Sequence, residues 1–374
     1  MDFYNSTRNS SSFDFSANNS LTWTGKSTVS SATRGCRLYS FIIYTIIGGL
    51  LCLFGFFGNT FTFFVFLRDS KKTSATFLFQ ALSIIDTLLL ATVVPVYSLL
   101  PLVEHTGLYA DYERFGYGLV LVYVLPCAFL AQTATIWLTV LVAVNRYIAV
   151  CLPYKAARLC TVSQAKKQLS IVLLVAVLYN IPKFVEARLD FSADDRGALA
   201  VPQYRAIVNN KLYFIIYGNF MYTIFLMALP LLCLTILNIR LIRALAQLKE
   251  KRAQMLNLRQ QQDNNITFVL IIVVIVFTVC QTPALANQIL WSALDRPSRA
   301  CGGFQFYFSR ISNLLVILNS AVNFLIYFIF NTRFRQILMH MVCRTMALQR
   351  LRMMRSTAVD QFAEAESVAK TTTL

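Results

Sequence analysis

Residues 126–153 read PCAFLAQTATIWLTVLVAVNRYIAVCLP. Arg146 follows a run of about 20 apolar or small residues, the length that a membrane-spanning helix needs. A turn containing Pro153 and Lys155 comes next. The stretch therefore predicts a span that ends at the cytoplasmic face, with Arg146 at the interface. Taken alone, Arg146 has two interpretations, a snorkelling anchor or a functional charge, and the other spans must decide between them.

The composition of the whole chain is that of an integral membrane protein. Of its 374 residues, 57% are hydrophobic and only 14% are charged, which is too apolar for an ordinary soluble domain. Alternating strand patterns are absent, so we predict an all-α seven-helix bundle. The predicted spans lie near 38–67, 76–103, 117–150, 169–184, 212–245, 266–294 and 304–330.

Charge determines the predicted orientation. Basic residues are concentrated in the connections on one side, which is cytoplasmic by the positive-inside rule: Arg68, Lys71, Lys72, Lys155, Arg158, Lys166, Lys167, Arg240, Arg243, Lys249, Lys251, Arg252 and Arg259. The N-terminus is then extracellular and the C-terminus cytoplasmic, as expected of a multi-pass plasma-membrane protein. The net charge of +17 is explained by this topology and by anionic lipids, so we expect no nucleic-acid binding.

Four segments are predicted along the chain. Residues 1–37 form a polar extracellular tail, expected to be disordered, with glycosylation patterns at Asn5, Asn9 and Asn18. Residues 38–330 form the bundle. Residues 331–344 alternate apolar and basic side chains at helical spacing, which predicts an amphipathic helix on the membrane surface. Residues 345–374 form a cytoplasmic tail.

The C-terminal part offers weaker partner signals. Cys343 is either palmitoylated or an unmodified thiol. The terminal sequence Thr372-Thr373-Leu374 has the pattern of a ligand for PDZ domains, which bind a hydrophobic C-terminus as an added strand. Candidate phosphorylation sites are Ser356, Thr357 and Ser367.

Several polar residues and prolines lie inside the predicted spans. Asp86 is the only carboxylate well inside one, and an unpaired buried charge is costly, so Asp86 must be protonated, paired or bound to a cation. Asn59 lies beside small residues that permit close helix packing. Pro182, Pro230 and Pro283 predict bends, because each removes a helical hydrogen bond.

Together these residues resemble the rhodopsin-like (class A) G-protein-coupled receptors over nearly all of residues 38–343. The matching pieces are Asn59, the LSIID sequence around Asp86, Asn145-Arg146-Tyr147, Pro230, the stretch from Cys280 to Pro283, and Asn323 to Tyr327 followed by Phe334. Within the class, three stretches are similar to invertebrate FMRFamide neuropeptide receptors: YNIPKFVE (179–186), CLPYKAARLCTVSQAK (151–166) and RISNLLVILNSAVNFLIYFIF (310–330).

This resemblance implies a receptor for an amidated neuropeptide of the FMRFamide type that activates a heterotrimeric G protein and also binds arrestin. Glu186 is the first choice as partner of the peptide's arginine and Asp295 the second. The other expected ligand residues are Gln132, Gln281, Gln288 and Tyr217. The alternatives are a class A receptor for a different peptide or small ligand, and a transporter. An enzyme is not expected, since no nucleophile or metal constellation accompanies the two histidines.

The resemblance also implies a sodium ion as allosteric modulator, with no other cofactor. Its expected ligands are Asp86, Thr135, Asn319, Ser320 and Asn323, oxygen-bearing residues that suit a hard cation. The expected activation switch is an Arg146–Asp263 bridge together with the connector residues Ile136, Pro230 and Phe277, and Tyr327. Arg146 and Tyr154 are the expected contacts with the G protein.

The chain also departs from the class. Asn145 replaces an acid, Gln281 replaces the tryptophan of the sixth span, and Phe324 replaces the proline of the seventh. Leu121 stands where the class has the cysteine that binds the second outer loop, so that disulfide cannot form. A comparable bridge in chemokine receptors implies that Cys36 pairs with Cys301. Cys127 is expected to be a buried thiol.

Overall fold

The computed structural model describes residues 31–70, 72–106, 116–194, 197–253, 261–294 and 299–343. Six of its helices are long and apolar enough to cross a membrane, and a bent helix pair supplies the seventh span. The all-α seven-span prediction is therefore confirmed. The glycosylation sites Asn5, Asn9 and Asn18, the cytoplasmic tail after residue 343 and Asp295 lie outside the described residues.

The spans, here named α1 to α7, have the following bounds: α1, Ser31–Ser40, Phe41–Gly48 and Gly49–Arg68; α2, Ser74–Val93, Val94–Leu99 and Leu100–Thr106; α3, Tyr117–Leu119, Val120–Val124 and Leu125–Cys151; α4, Val162–Val185; α5, Lys211–Tyr213, Phe214–Ala228 and Leu229–Ala253; α6, Gln261–Ala293; α7, Phe304–Ala321 and Asn323–Phe330. Short helices Pro153–Leu159 and Ala206–Asn209 lie in the connections. A further helix, α8, covers residues 332–343.

The contact between α1 and α7 depends on two glycines. A Cβ atom at Gly55 would stand 2.8 Å from the Cα of Ala321, and one at Gly58 would stand 2.7 Å from the Cβ of Phe324. Only glycine permits so close an approach of two helices. The same approach lets the Asn59 amide nitrogen donate to the backbone oxygen of Ser320 at 3.0 Å. The small residues around Asn59 thus bring α1 against the polar centre of the bundle.

The bent helix pair of α7 contains no proline. α4 and α6 continue through Pro182 and Pro283, whereas the two pieces of α7 meet at Val322 with a bend of 46°. This bend exists although Phe324 replaces the usual proline. The bend lies next to Asn323, whose side chain donates a hydrogen bond to Asp86 at the centre of the bundle. A polar contact between helices therefore accompanies this bend.

Buried aromatic side chains form the cytoplasmic half of the core. The Tyr327 ring packs edge-on against Phe79, with centroids 5.1 Å apart, and against Phe66 at 5.6 Å. Phe334 of α8 lies 5.8 Å from Tyr327 and is almost fully buried. Burying Phe334 at this position anchors α8 to the bundle.

The second outer loop folds as a hairpin that the sequence analysis did not predict. Its antiparallel strands are β1, Ala187–Asp194, and β2, Gly197–Tyr204, paired from Ala187 with Tyr204 to Asp194 with Gly197. The hairpin rests on the outer end of α3, where Gly118 faces the backbone of Ala200.

A disulfide joins the outer ends of α1 and α7. Cys36 and Cys301 are bonded, with Cα atoms 5.9 Å apart, so the predicted pairing is confirmed. The expectation for Cys127 was wrong, since this thiol is exposed on the surface of α3. A cysteine in an apolar sequence can face lipid as readily as the core, and the local sequence does not distinguish the two.

Candidate functional site

The outer ends of α3, α4 and α5 enclose a cluster that contains Glu186. Glu186 follows the last residue of α4, and its Oε1 lies 2.7 Å from the Lys183 ammonium, one helical turn earlier. The Tyr213 hydroxyl of α5 donates to the same oxygen at 2.7 Å. Both charged side chains are largely withdrawn from solvent, with 12% of Lys183 and 13% of Glu186 exposed. Glu186 is therefore a partly buried, paired carboxylate.

Aromatic rings surround this ion pair. The Lys183 ammonium lies 5.2 Å from the ring centroid of Tyr217 and 5.5 Å from that of Phe129, within the range of cation–π attraction. Tyr217 stacks on Tyr213 with centroids 5.3 Å apart, and its hydroxyl donates to the backbone oxygen of Tyr179 at 2.9 Å. We call the six residues the acid–aromatic cluster: Phe129, Tyr179, Lys183, Glu186, Tyr213 and Tyr217.

The sequence analysis singled out Glu186 and Tyr217 but missed the other four members as site residues. The spacing of Lys183 and Glu186 could have revealed their pairing, because residues three apart are neighbours on a helix. Tyr213 stands 27 residues from Glu186 along the chain. Nothing local in the sequence indicates that contact.

The predicted amide residues lie in different settings. Gln288 of α6 donates to the Gly218 oxygen and to the Asn219 side-chain oxygen of α5, each at 3.4 Å. Gln281 is buried, and its Oε1 has no hydrogen-bond partner within the described residues. Gln132 of α3 is half-buried. These residues supply hydrogen-bonding groups on α3 and α6.

Two buried amide contacts were not predicted. Gln305 of α7 donates to the Asn287 side-chain oxygen of α6 at 2.7 Å, and Asn180 of α4 donates to the Thr133 hydroxyl of α3 at 2.9 Å. Each contact joins two neighbouring helices, and buried polar groups need such partners. They link α6 to α7 and α3 to α4.

A second polar site lies at the centre of the bundle around Asp86. Asp86 is fully buried. Its Oδ1 accepts from the Thr135 hydroxyl at 3.1 Å, and its Oδ2 accepts from the Asn323 amide at 2.7 Å. Asn319 and Ser320, from the preceding turn of α7, are buried as well. Thr135 and Asn323 thus contact Asp86, and the five predicted sodium residues come from three helices.

The chemistry of this central set fits a small hard cation. The side chains offer carboxylate, hydroxyl and amide oxygens, which are the ligands that such cations prefer. The nearby Oδ1 of Asn59 is buried and has no hydrogen-bond partner within the described residues. Within the described residues, no group of three or more His, Cys, Asp or Glu residues is placed to hold a metal ion.

At the cytoplasmic end, Asn145 pairs with a neutral side chain. It is buried, and its side-chain oxygen accepts from the Ser74 hydroxyl of α2 at 3.0 Å. Arg146 is half-buried. Asp263 lies in α6, but its side chain is outside the described part of the structure, so the Arg146–Asp263 bridge stays a prediction. Tyr154 is 100% exposed, where a cytoplasmic partner can reach it.

The predicted connector residues lie between the outer cluster and the cytoplasmic end. Ile136 and Phe277 belong to one buried apolar cluster, and Pro230 is buried in α5. The Tyr327 hydroxyl is buried without a hydrogen-bond partner within the described residues. The Tyr327 hydroxyl is therefore a buried polar group inside an aromatic core.

An ion pair missed by the sequence analysis ties α8 to the first cytoplasmic connection. The Arg333 guanidinium pairs with the Asp69 carboxylate, which is 4% exposed. These residues are 264 positions apart. The pair complements the burial of Phe334 and fixes the start of α8 beside the end of α1.

Comparisons with known proteins agree with this architecture. Residues 58–327 match the seven-transmembrane receptor (rhodopsin) family. The chain is 29% identical over 301 residues to the FMRFamide receptor of Drosophila melanogaster and 30% identical over 299 residues to the FMRFamide peptide receptor frpr-18 of Caenorhabditis elegans. It is 26% identical over 309 residues to the somatostatin receptor type 1 of Rattus norvegicus.

The matched regions cover 79%, 77% and 81% of this chain, respectively. They cover 52% of the Drosophila receptor, 66% of the nematode receptor and 72% of the rat receptor. The chain therefore spans between about half and about two thirds of the length of the two FMRFamide receptors. The matched family and these relatives are receptors rather than enzymes, as the sequence predicts for this chain.

Proposed function

Because the chain belongs to the rhodopsin family of seven-transmembrane receptors, we propose that it is a plasma-membrane G-protein-coupled receptor for an extracellular amidated peptide of the FMRFamide type. Two relatives are receptors for FMRFamide peptides. The observation that carries the proposal is the acid–aromatic cluster, in which a partly buried carboxylate lies among aromatic rings at the outer ends of α3, α4 and α5.

The chemistry of this cluster matches the two ends of an Arg-Phe-amide. Glu186 is withdrawn from water, so a charged hydrogen bond from an arginine to it is stronger than at an exposed site. The rings of Tyr179 and Tyr213, which belong to the same cluster, offer apolar faces to a phenylalanine. Asp295 is the second candidate for the arginine. Gln132, Gln281 and Gln288 supply donors and acceptors for the peptide backbone and its terminal amide.

Signalling to the cytoplasm is proposed to use the connector and the inner end of α3. A peptide that repacks Ile136, Pro230 and Phe277 would separate α3 from α6 and break the Arg146–Asp263 bridge. The exposed Tyr154 and the uncovered Arg146 would then contact the G protein. Arrestin at the same cavity and a PDZ protein at the C-terminus are further proposed partners.

The central site is proposed to hold sodium in the resting state. Asp86 would provide the charge, and Thr135, Asn319, Ser320 and Asn323 would provide neutral oxygens. Bound sodium neutralises the buried carboxylate. Since a ligand shifts an equilibrium only by its differential affinity for two states, a cation that prefers the resting packing would oppose agonist binding.

The test is a screen of amidated peptides on the full chain reconstituted with G protein, with nucleotide exchange as readout. We expect Phe-Met-Arg-Phe-amide or a related peptide to stimulate exchange. The free-acid form should be weaker, and Glu186→Gln should lower potency at normal surface expression. Unchanged potency in Glu186→Gln would contradict the assignment of Glu186. Solute transport without G-protein activation would overturn the receptor function.

A further inference from the structure

Glu186, the residue proposed to bind the peptide's cation, already holds a cation of the protein itself. Lys183 lies 2.7 Å from its Oε1, and the two side chains are 12% and 13% exposed. A carboxylate withdrawn from water needs such a partner, because an unpaired buried charge is strongly unfavourable. We infer that Lys183 is an internal competitor for the ligand, which occupies Glu186 until the peptide's arginine displaces it. This inference rests on the proposed peptide-receptor function.

The contacts at Glu186 favour a guanidinium over the ammonium that it would replace. Lys183 and the Tyr213 hydroxyl both reach the same oxygen, Oε1. An ammonium acts as a point charge, whereas a guanidinium can bind both oxygens of a carboxylate at once. A ligand arginine therefore gains a contact that Lys183 does not make. A ligand lysine offers only the same single contact and has no such advantage.

The displaced ammonium has a place to go within the cluster. It already lies 5.2 Å from the Tyr217 centroid and 5.5 Å from the Phe129 centroid, and both rings attract cations. A small rotation of the side chain would move Lys183 off Glu186 while keeping it above these rings. Displacement would thus remove the ion pair but keep the cation–π contacts, so the ammonium would not be left in a wholly apolar space.

Competition of this kind affects both affinity and selectivity. Only receptors in which Lys183 has left Glu186 can bind the peptide's arginine there. The apparent affinity is therefore the intrinsic affinity multiplied by the fraction of such receptors. Ligands that cannot displace Lys183 are rejected more strongly than those that can. Lys183 would therefore act as a specificity-determining residue that favours arginine over lysine at this position of the peptide.

The experiment measures equilibrium binding to membranes that contain the full chain. The probes are Phe-Met-Arg-Phe-amide and its analogues with lysine or with neutral citrulline in place of arginine. The variants are Lys183→Gln, which removes the competing charge, and Lys183→Arg, which replaces it with a stronger competitor. Lys211→Gln, at an exposed lysine at the start of α5, is the matched control.

We expect Lys183→Gln to tighten binding of the arginine peptide about tenfold, a factor that corresponds to 1.4 kcal/mol. Lys183→Gln should also reduce the ratio between the dissociation constants of the lysine peptide and the arginine peptide. Lys183→Arg should weaken binding of both cationic peptides. The citrulline peptide and the Lys211→Gln control should show no change. Opposite effects of the two Lys183 variants keep the test informative if one of them expresses poorly.

Other outcomes separate the inference from the function on which it rests. If Lys183→Gln weakens the binding of all three peptides equally, the inference is overturned. Lys183 would then have only a structural role in the packing of α4 against α5. No change in either Lys183 variant would overturn it too, provided that Glu186→Gln still weakens binding of the arginine peptide. If no amidated peptide binds to the unmodified receptor, the proposed function fails and the inference fails with it.

Discussion

Gly118 lies so close to Ala200 that a Cβ atom at Gly118 would stand 2.4 Å from the Ala200 carbonyl oxygen. The same atom would stand 2.9 Å from a methyl group of Leu189. The outer hairpin is thus seated directly on the end of α3. Close packing joins the hairpin to this helix.

Gly118→Ala should therefore destabilise the receptor. The added methyl group meets a backbone oxygen, which cannot move without shifting the hairpin, and overpacking of this kind costs roughly 1–3 kcal/mol. We expect a lower melting temperature of the purified receptor and weaker peptide binding. Gly49→Ala is the control, because a Cβ atom there meets nothing within 4 Å. Equal melting temperatures for the two variants would contradict the tight contact.

Removing the Cys36–Cys301 disulfide should weaken peptide binding. The bond joins the outer ends of α1 and α7 across 265 positions of the chain. Chain entropy for so long a loop would give roughly 4 to 5 kcal/mol, but we expect less, because the membrane already confines both helices. Cys36→Ser, Cys301→Ser and the double variant should have the same effect on binding, since each removes the same bond.

Non-reducing peptide mapping of the surface receptor should show the two cysteines linked. Cys127→Ser, at an exposed free thiol, serves as the control and should leave binding unchanged. Additive losses in the double variant, or two thiols that alkylate independently on the intact receptor, would rule out the bond.

Sodium should lower agonist affinity through Asp86. With potassium replacing sodium at constant ionic strength, we expect agonist affinity to rise about fivefold or more, the lower end of common allosteric coupling. Asp86→Asn should remove this difference, because the amide lacks the charge that holds the cation. Agonist affinity that is indifferent to sodium in the unmodified receptor would contradict the site.

Asp263→Ala should raise basal signalling. Asn145 cannot neutralise Arg146, and its side chain accepts from Ser74, so Asp263 is the remaining candidate to hold α3 against α6 at rest. Removing its carboxylate should increase nucleotide exchange without agonist at matched surface expression, while Gln262→Ala should not. An unchanged baseline would mean that the two charges are merely solvated, a situation worth ~0–1 kcal/mol.

The sequence alone determined the seven spans and the polar residues inside them, and it predicted their orientation. A membrane imposes these features over short windows, since about 20 apolar residues make one span and basic residues mark its cytoplasmic end. Asn319 and Asn323 could be placed on one face of α7 because helical periodicity is local too. The Cys36–Cys301 pairing could be predicted because few cysteines lie outside the membrane and the resemblance supplied the arrangement of helices.

Only the tertiary structure decided which side chains meet. The contacts of Tyr213 with Glu186, of Ala200 with Gly118 and of Arg333 with Asp69 all join residues that are far apart in the sequence. They result from the packing of whole helices and of the hairpin. No short window of sequence encodes such contacts. The bend of α7 at Val322 appears without a proline, beside the contact between Asn323 and Asp86 from another helix. Local hydropathy and charge place each segment in the membrane. Contacts between residues that are far apart in the sequence determine which faces of the helices pack together.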